Sequence, residues 1–221
     1  MPTTRLEAAS AAEPPRDCPL CPRLVAYREA NRAAHPDWWN GPAPSFGDEN
    51  ARLLIVGLAP GRTGANRTGR PFTGDFAGVL LYETLIKAGF ARGRYEARPD
   101  DGLELVGCMI TNAVRCAPPG NKPETSEETN CRPFLAARIA ALPRLQVIVT
   151  LGDVARRNVL RALGLKASAG VAGHGSRIEA AGYTLLNSYH CSRLNTNTGR
   201  LTPAMFEAVF ETAKGVLATP T

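Results

Sequence analysis

Residues 57–78 read GLAPGRTGANRTGRPFTGDFAG, with six glycines and three arginines. The apolar run Arg52-Leu-Leu-Ile-Val56 precedes them, and Val79-Leu-Leu-Tyr-Glu-Thr-Leu-Ile86 follows. A short flat apolar run fits a strand buried on both faces, and the second run has apolar residues at helical spacing. The stretch therefore joins a strand to a helix. Its glycines and arginines have the character of a phosphate cradle, since arginine's planar fork matches phosphate. Two common cradles fail on spacing. No Lys-Ser or Lys-Thr completes a P-loop, and Gly57, Gly61 and Gly64 do not form G-x-G-x-x-G. A mobile surface loop is the plain alternative. Pro71-Phe72 argues against it, because a large apolar ring in a polar loop usually docks somewhere.

Flat apolar runs recur outward from this point, at 53–58, 105–111, 147–151 and 184–188. Helical patterns lie between and after them. They span 76–89; 126–142, with a capping box Thr125-x-x-Glu128; 153–163, directly after Gly152; and 203–217, with Pro203 behind Thr202. A further helix-like stretch covers 23–34, and 35–50 is turn-rich and holds both tryptophans. The order β-α-β-α-β-α-β-α predicts an α/β fold, a mostly parallel sheet covered by helices on both faces. Such sheets bind ligands at the carboxyl ends of their strands. One domain is expected over 18–221, after a loose Ala/Pro-rich tail over 1–17, with no internal repeat.

The chain has 221 residues, enough for one substantial core. Hydrophobic residues at 44% and charged residues at 21% are ordinary for a globular protein. The net charge of +6 is carried by arginine, with few lysines, and tilts the reading only modestly toward nucleic acid. The N-terminal stretch MPTTRLEAASAAEPPR lacks the apolar core of a secretory signal. No run approaches the roughly 20 apolar residues of a membrane helix. A cytoplasmic location is expected, where the six cysteines are not structural disulfides.

Cys18 and Cys21 form C-x-x-C, and Cys116 and Cys131 stand further apart in turn or helix-start contexts. Four thiolates suit either Zn²⁺ or a [4Fe–4S] cluster. The second pair is too widely spaced for a zinc knuckle, which favours the larger cluster; four free thiols are the plain alternative. Cys108 lies within a strand and reads as core. Asn112 ends one strand and His190 another, so they join the 57–78 loop at one edge of the sheet. Asn112 offers one acceptor and two donors, enough to read an amide-like base edge. Taken singly, Asn112 reads equally as a capped strand end and His190 as a core histidine.

GLAPG with GRPFTGD, TNAVRC, HCSRLN and the four cysteines, taken in order, resemble the uracil-DNA glycosylase superfamily, in its iron–sulfur family 5, over 18 to about 215. The resemblance implies a three-layer α/β/α sandwich around a four-stranded sheet. It implies a [4Fe–4S] cluster on Cys18, Cys21, Cys116 and Cys131. It also implies hydrolysis of the N-glycosidic bond of uracil and other deaminated bases such as hypoxanthine, leaving an abasic site. Phe72 would stack on the extruded base and Asn112 would bond its polar edge. Asp75 would act on water and the sugar, and His190 would donate to a base oxygen. Leu58 and Ala59 would form an apolar wall, where related family 4 enzymes carry an acid at the position of Leu58. Gly61, Arg62, Arg67 and Arg70 would hold DNA, and Ser192, Arg193, Leu194 and Asn195 would enter the duplex gap. Cys191 stands where the family has proline. No lysine sits in these motifs, which argues against Schiff-base lyase chemistry. The expected partner is DNA and the expected state a monomer. The rivals are a non-catalytic metal- or cluster-containing DNA-binding module and a nucleotide hydrolase; the latter lacks its Walker lysine.

Overall fold

A computed structural model describes residues 12–219. Its strands are β1 (Phe46–Gly47), β2 (Leu53–Gly57), β3 (Ala91–Arg92), β4 (Glu104–Leu105), β5 (Cys108–Asn112), β6 (Val147–Leu151), β7 (Arg177–Ala180) and β8 (Tyr183–Ser188). Its helices are α1 (Pro22–Ala34), α2 (Ala65–Thr68), α3 (Phe76–Ala88), α4 (Thr125–Ala141), α5 (Asp153–Ala162), α6 (Arg193–Asn197) and α7 (Pro203–Ala218).

β2 shows why the chain folds this way. All of its residues are buried, and alternate side chains leave opposite faces of the sheet. Leu53 and Ile55 pack in one core with Leu81 and Leu85 of α3 and Phe206 and Phe210 of α7. Leu54 and Val56 pack in a second core with Leu135 and Ile139 of α4 and Val159 and Leu160 of α5. Each such side chain contributes about 1.5–3 kcal/mol on burial, so a run that is apolar at every position needs cover on both sides.

The sheet corrects the four-stranded expectation. It has six strands in the order β1-β5-β2-β6-β8-β7. The inner four are parallel, and β1 and β7 add antiparallel edges. Neither edge presents a flat apolar run: β1 has two residues, and β7 alternates exposed and half-buried positions. The run at 105–111 also divides. Glu104–Leu105 pairs with β3, and Gly107, at φ 59°, turns the chain into β5. The capping box of α4 lies one residue earlier than expected, on Glu124 and Glu127, with the Glu124 N–H donating to Glu127 Oε2 at 2.7 Å. Glu128 instead turns inward and accepts from Asn158 Nδ2 at 2.8 Å.

Residues 1–11 of the tail expected to be loose lie outside the described residues. Residues 12–17 are anchored. Ala12 is buried, and Glu13 pairs with the buried guanidiniums of Arg115 and Arg138. Two buried cations need an anion beside them, and the tail brings it. No helix among the described residues is long and apolar enough to cross a membrane.

Candidate functional site

β2 and β5 end in register, with Gly57 opposite Asn112. Asn112 is buried, and its Oδ1 has no hydrogen-bond partner among the described residues. A Cβ on Gly57 would lie 2.5 Å from that oxygen and 2.6 Å from Phe72 Cζ. Glycine is thus what lets the amide and the ring meet at the strand end. Phe72 has left-handed backbone at φ 53°, a conformation that costs about 1–3 kcal/mol and persists only where neighbours enforce it. Tyr95 Oη donates to the Phe72 carbonyl at 3.1 Å, and Tyr82 Oη donates to the Pro71 carbonyl at 2.6 Å. Gly78 admits the same turn, since a Cβ there would lie 1.7 Å from Phe72 O.

Asp75 is the N-cap of α3. Its Oδ1 accepts from the Gly78 N–H at 3.0 Å. The other oxygen faces Gly64, where a Cβ would come within 2.5 Å of Oδ2. Burial raises its pKa above the ordinary aspartate value, against backbone hydrogen bonds from Gly78 and Ala77, and no ion pair balances it among the described residues. His190 lies 6.1 Å from Phe72, ring centre to ring centre. Burial pushes its imidazole down to about 4, so it is neutral at physiological pH.

These side chains share one cleft of about 510 Å³ with Leu58, Ala59 and Gly61 on its wall. Ser192, Arg193 and Leu194 form its rim. Ser192 caps α6, its Oγ accepting from the Asn195 N–H at 3.4 Å. Asn195 works from behind, its Nδ2 donating to the His190 carbonyl at 2.8 Å. Leu194 is 72% exposed, and Arg193 stacks 5.1 Å above Phe76.

Three arginines lie elsewhere. Arg70 is corrected: it is buried, forms a fork on Asp101 at 2.7 and 2.8 Å, and so ties the loop to 99–101 rather than presenting itself to a ligand. Arg62 is exposed but sits over Trp38 at 5.3 Å and donates to Asn31 Oδ1 at 3.3 Å. Arg67 lines a separate groove with Trp38 and Trp39. Sequence reasoning missed Gly57 as a contact, Gly78, Tyr82 and Tyr95. It also missed Lys122, which reaches the cleft wall from the 3₁₀ turn Pro119–Asn121. The absence of lysine from the motifs does not carry over to the cleft. The only signal for that wall is the turn sequence Pro118-Pro119-Gly120-Asn121.

Cys18, Cys21, Cys116 and Cys131 line a single cavity beside α1. The Arg115 N–H donates to Cys131 Sγ at 3.3 Å, and Asn130 Nδ2 donates to Cys21 Sγ at 3.7 Å. Burial pushes the Cys116 thiol up to about 11 and that of Cys131 to about 12. Among the described residues, no three His, Cys, Asp or Glu side chains gather closely enough to hold one metal ion. Arg28 lines the same cavity, with its buried Nε lacking a hydrogen-bond partner. N–H donors aimed at sulfur and a buried guanidinium N–H without an acceptor fit an anionic, thiolate-held group. Cys108 and Cys191 are both core residues.

The model of the uracil DNA glycosylase superfamily matches residues 44–214. The chain is 47% identical to the type-5 uracil-DNA glycosylase of Thermus thermophilus over 203 residues, covering 89% of this chain and 92% of that protein. It is 44% identical to the type-5 uracil-DNA glycosylase of Pyrobaculum aerophilum, over 84% of this chain and 83% of that one. The type-4 uracil-DNA glycosylase of Pyrobaculum aerophilum is 32% identical, over 69% of this chain and 64% of that one. A match over most of the chain, with loop and strand ends built around one cleft, places this chain in the uracil DNA glycosylase superfamily, on its type-5 side.

Proposed function

We propose that the chain is a DNA repair glycosylase that hydrolyses the N-glycosidic bond of uracil in DNA and leaves an abasic site. The observation that carries the reading is the orphaned Asn112 Oδ1, buried beside Phe72 in the cleft. A buried acceptor without a partner is costly unless a ligand completes it. Uracil's edge presents an N3–H beside a carbonyl, so it gives Oδ1 a donor and Nδ2 an acceptor. Cytosine presents an acceptor and an amino group there, the reverse pattern. Reaching this edge requires the nucleotide to leave the helix, and Phe72 supplies the stacking face it then loses.

The C1′–N1 bond breaks with its electron pair passing to the base. Neutral His190 donates a hydrogen bond to a carbonyl oxygen of the departing anion without first needing a proton. Asp75 faces the positive charge growing on the sugar, and its raised pKa suits it to take the proton of the water that adds to C1′. Leu58 and Ala59 offer the base no hydrogen bonds, so they do not reject larger bases by polarity. Hypoxanthine presents the same N–H and carbonyl pair to Asn112 and is included in the proposed range.

Cys18, Cys21, Cys116 and Cys131 would hold a [4Fe–4S] cluster. The wide sequence spacing of Cys116 and Cys131, unlike that of a zinc knuckle, favours a cluster over one zinc. The cluster would cross-link the chain, tying the start of α1 to the segment that carries Lys122. The test uses an anaerobically purified protein and an oligonucleotide with one uracil. Strand breaks that form only after alkali at the uracil are expected, with roughly four irons per chain. Binding without abasic sites would leave the rival reading, a cluster-bearing DNA-binding module.

A further inference from the structure

Arg28 stands about two turns into α1 and is 5% exposed. Its two terminal nitrogens both donate to the Cys18 carbonyl at 3.3 Å, which clamps the C-x-x-C loop onto the helix. Its Nε–H is buried and has no acceptor. Its ion-pair partner, Glu29 Oε1, stands 3.7 Å from that same Nε, beyond hydrogen-bond reach, on a side chain that is 55% exposed. Asp17, further out, is taken by Arg32 at 2.6 Å. Carbonyl oxygens and a solvated carboxylate do not offset the burial of a full positive charge. The guanidinium lies beside Cys116, in the lining of the four-cysteine cavity.

We propose that Arg28 is a counter-charge and hydrogen-bond donor of the iron–sulfur cluster, its Nε–H, which lacks a hydrogen-bond acceptor, completed by a cluster or cysteinyl sulfur. The inference rests on the cluster reading above. A [4Fe–4S] group with four thiolates is net negative, and its sulfurs accept N–H groups. The cluster would therefore complete what the protein part leaves open, a buried donor without a hydrogen-bond acceptor on a cation whose one ion-pair partner, Glu29, is mostly solvated. A positive charge and a donor at the cluster favour its more reduced, more negative state and hold its irons. Arg28 is a positioning residue and takes no part in base removal.

Arg28→Met keeps length and removes charge and donors; Arg28→Lys keeps charge and loses the fork. Arg32→Met, on the same helix but outside the cavity lining, is the control. Each protein is purified anaerobically and measured for iron content, reduction midpoint and rate of bleaching by a chelator. Arg28→Met is expected to have a more negative midpoint and to bleach about tenfold faster or more, with Arg28→Lys between it and the wild type and Arg32→Met unchanged. If Arg28→Met fails to fold, the Arg28→Lys midpoint and bleaching rate decide. A brown wild type whose Arg28 variants match it in both overturns the Arg28 assignment alone. A colourless, iron-free wild type overturns this assignment and the cluster reading together.

Discussion

Asp75 serves the fold with one oxygen and faces Gly64 with the other. Asparagine caps a helix about as well as aspartate but carries no charge. The folded protein raises the Asp75 pKa, so the stability linked to this group is fully present below its ordinary value of 3.8 and is lost as pH rises through the folded value. At pH 7 the carboxylate is therefore a net cost to folding. Asp75→Asn should melt at the same temperature or higher, while single-turnover cleavage falls by roughly 10² or more. Normal cleavage in that folded variant would remove Asp75 from the chemistry. His190 has the opposite linkage. Its folded pKa of about 4 lies below the ordinary 6.5, so its contribution is present above pH 6.5 and is lost as pH falls toward 4. His190→Gln should lose less melting temperature than the wild type between pH 6.5 and 4. The wild-type single-turnover rate should show no inflection near 6.5; one there would mean that His190 works as an imidazolium.

At the scale of elements, the loop before α3 and the short helix α6 face each other across the cleft. Alanine in place of a glycine within a helix usually stabilises it by about 0.5–1 kcal/mol. Gly78→Ala should do the reverse, because its Cβ would fall 1.7 Å from the Phe72 carbonyl and force the turn apart. Thermal melting and single-turnover cleavage should both fall, and a stabilised, active Gly78→Ala would mean that the left-handed Phe72 turn is dispensable. Leu194→Ala should separate the two readouts. Its side chain is 72% exposed, so melting stays unchanged while cleavage in duplex DNA drops more than in single strands, where no gap needs filling. Equal losses on both substrates would make Leu194 a general contact and not a wedge. These elements differ in how far the sequence announces them. β2 and β6 are apolar at nearly every position because both faces are covered, and that pattern is local; β8 is nearly as buried but apolar only at Tyr183, Leu185 and Leu186. β1 and β7 owe their pairing to neighbouring strands and carry no such pattern. Asn112 and His190 were legible because they close or follow recognisable runs, Asp75 because it precedes a helical pattern, and Phe72 as a large apolar ring in a polar loop. Tyr82 and Tyr95 were not, since each acts through a hydroxyl on a carbonyl distant in sequence. Arg70 read as a ligand-binding residue because nothing in the sequence places Asp101 against it.

Over the whole molecule, the net charge of +6 does not measure how many cations meet DNA. Arg70, Arg115 and Arg138 are buried on Asp101 and Glu13, and their charge is spent inside the fold. Arg193 and Lys122 lie at the cleft, while Arg62 and Arg67 are exposed on the far side of the loop, toward the tryptophans. DNA that fills the cleft should therefore release few counterions. Each phosphate contact adds about 0.9 to the magnitude of the log–log salt slope for duplex DNA. Arg193→Met and Lys122→Met should each flatten that slope by about one unit and weaken binding to uracil-free duplex in the same proportion. Arg70→Met should leave the slope alone and lower the melting temperature, since it strands a buried carboxylate, Asp101, whose pKa its partner holds far below the usual range. Arg62→Met and Arg67→Met discriminate between two paths of the duplex. If the DNA stays on the cleft side of the loop, both keep the wild-type slope. If either flattens it by a full unit, the duplex crosses the loop and runs on over the face that carries Trp38 and Trp39, and the binding surface is wider than the cleft.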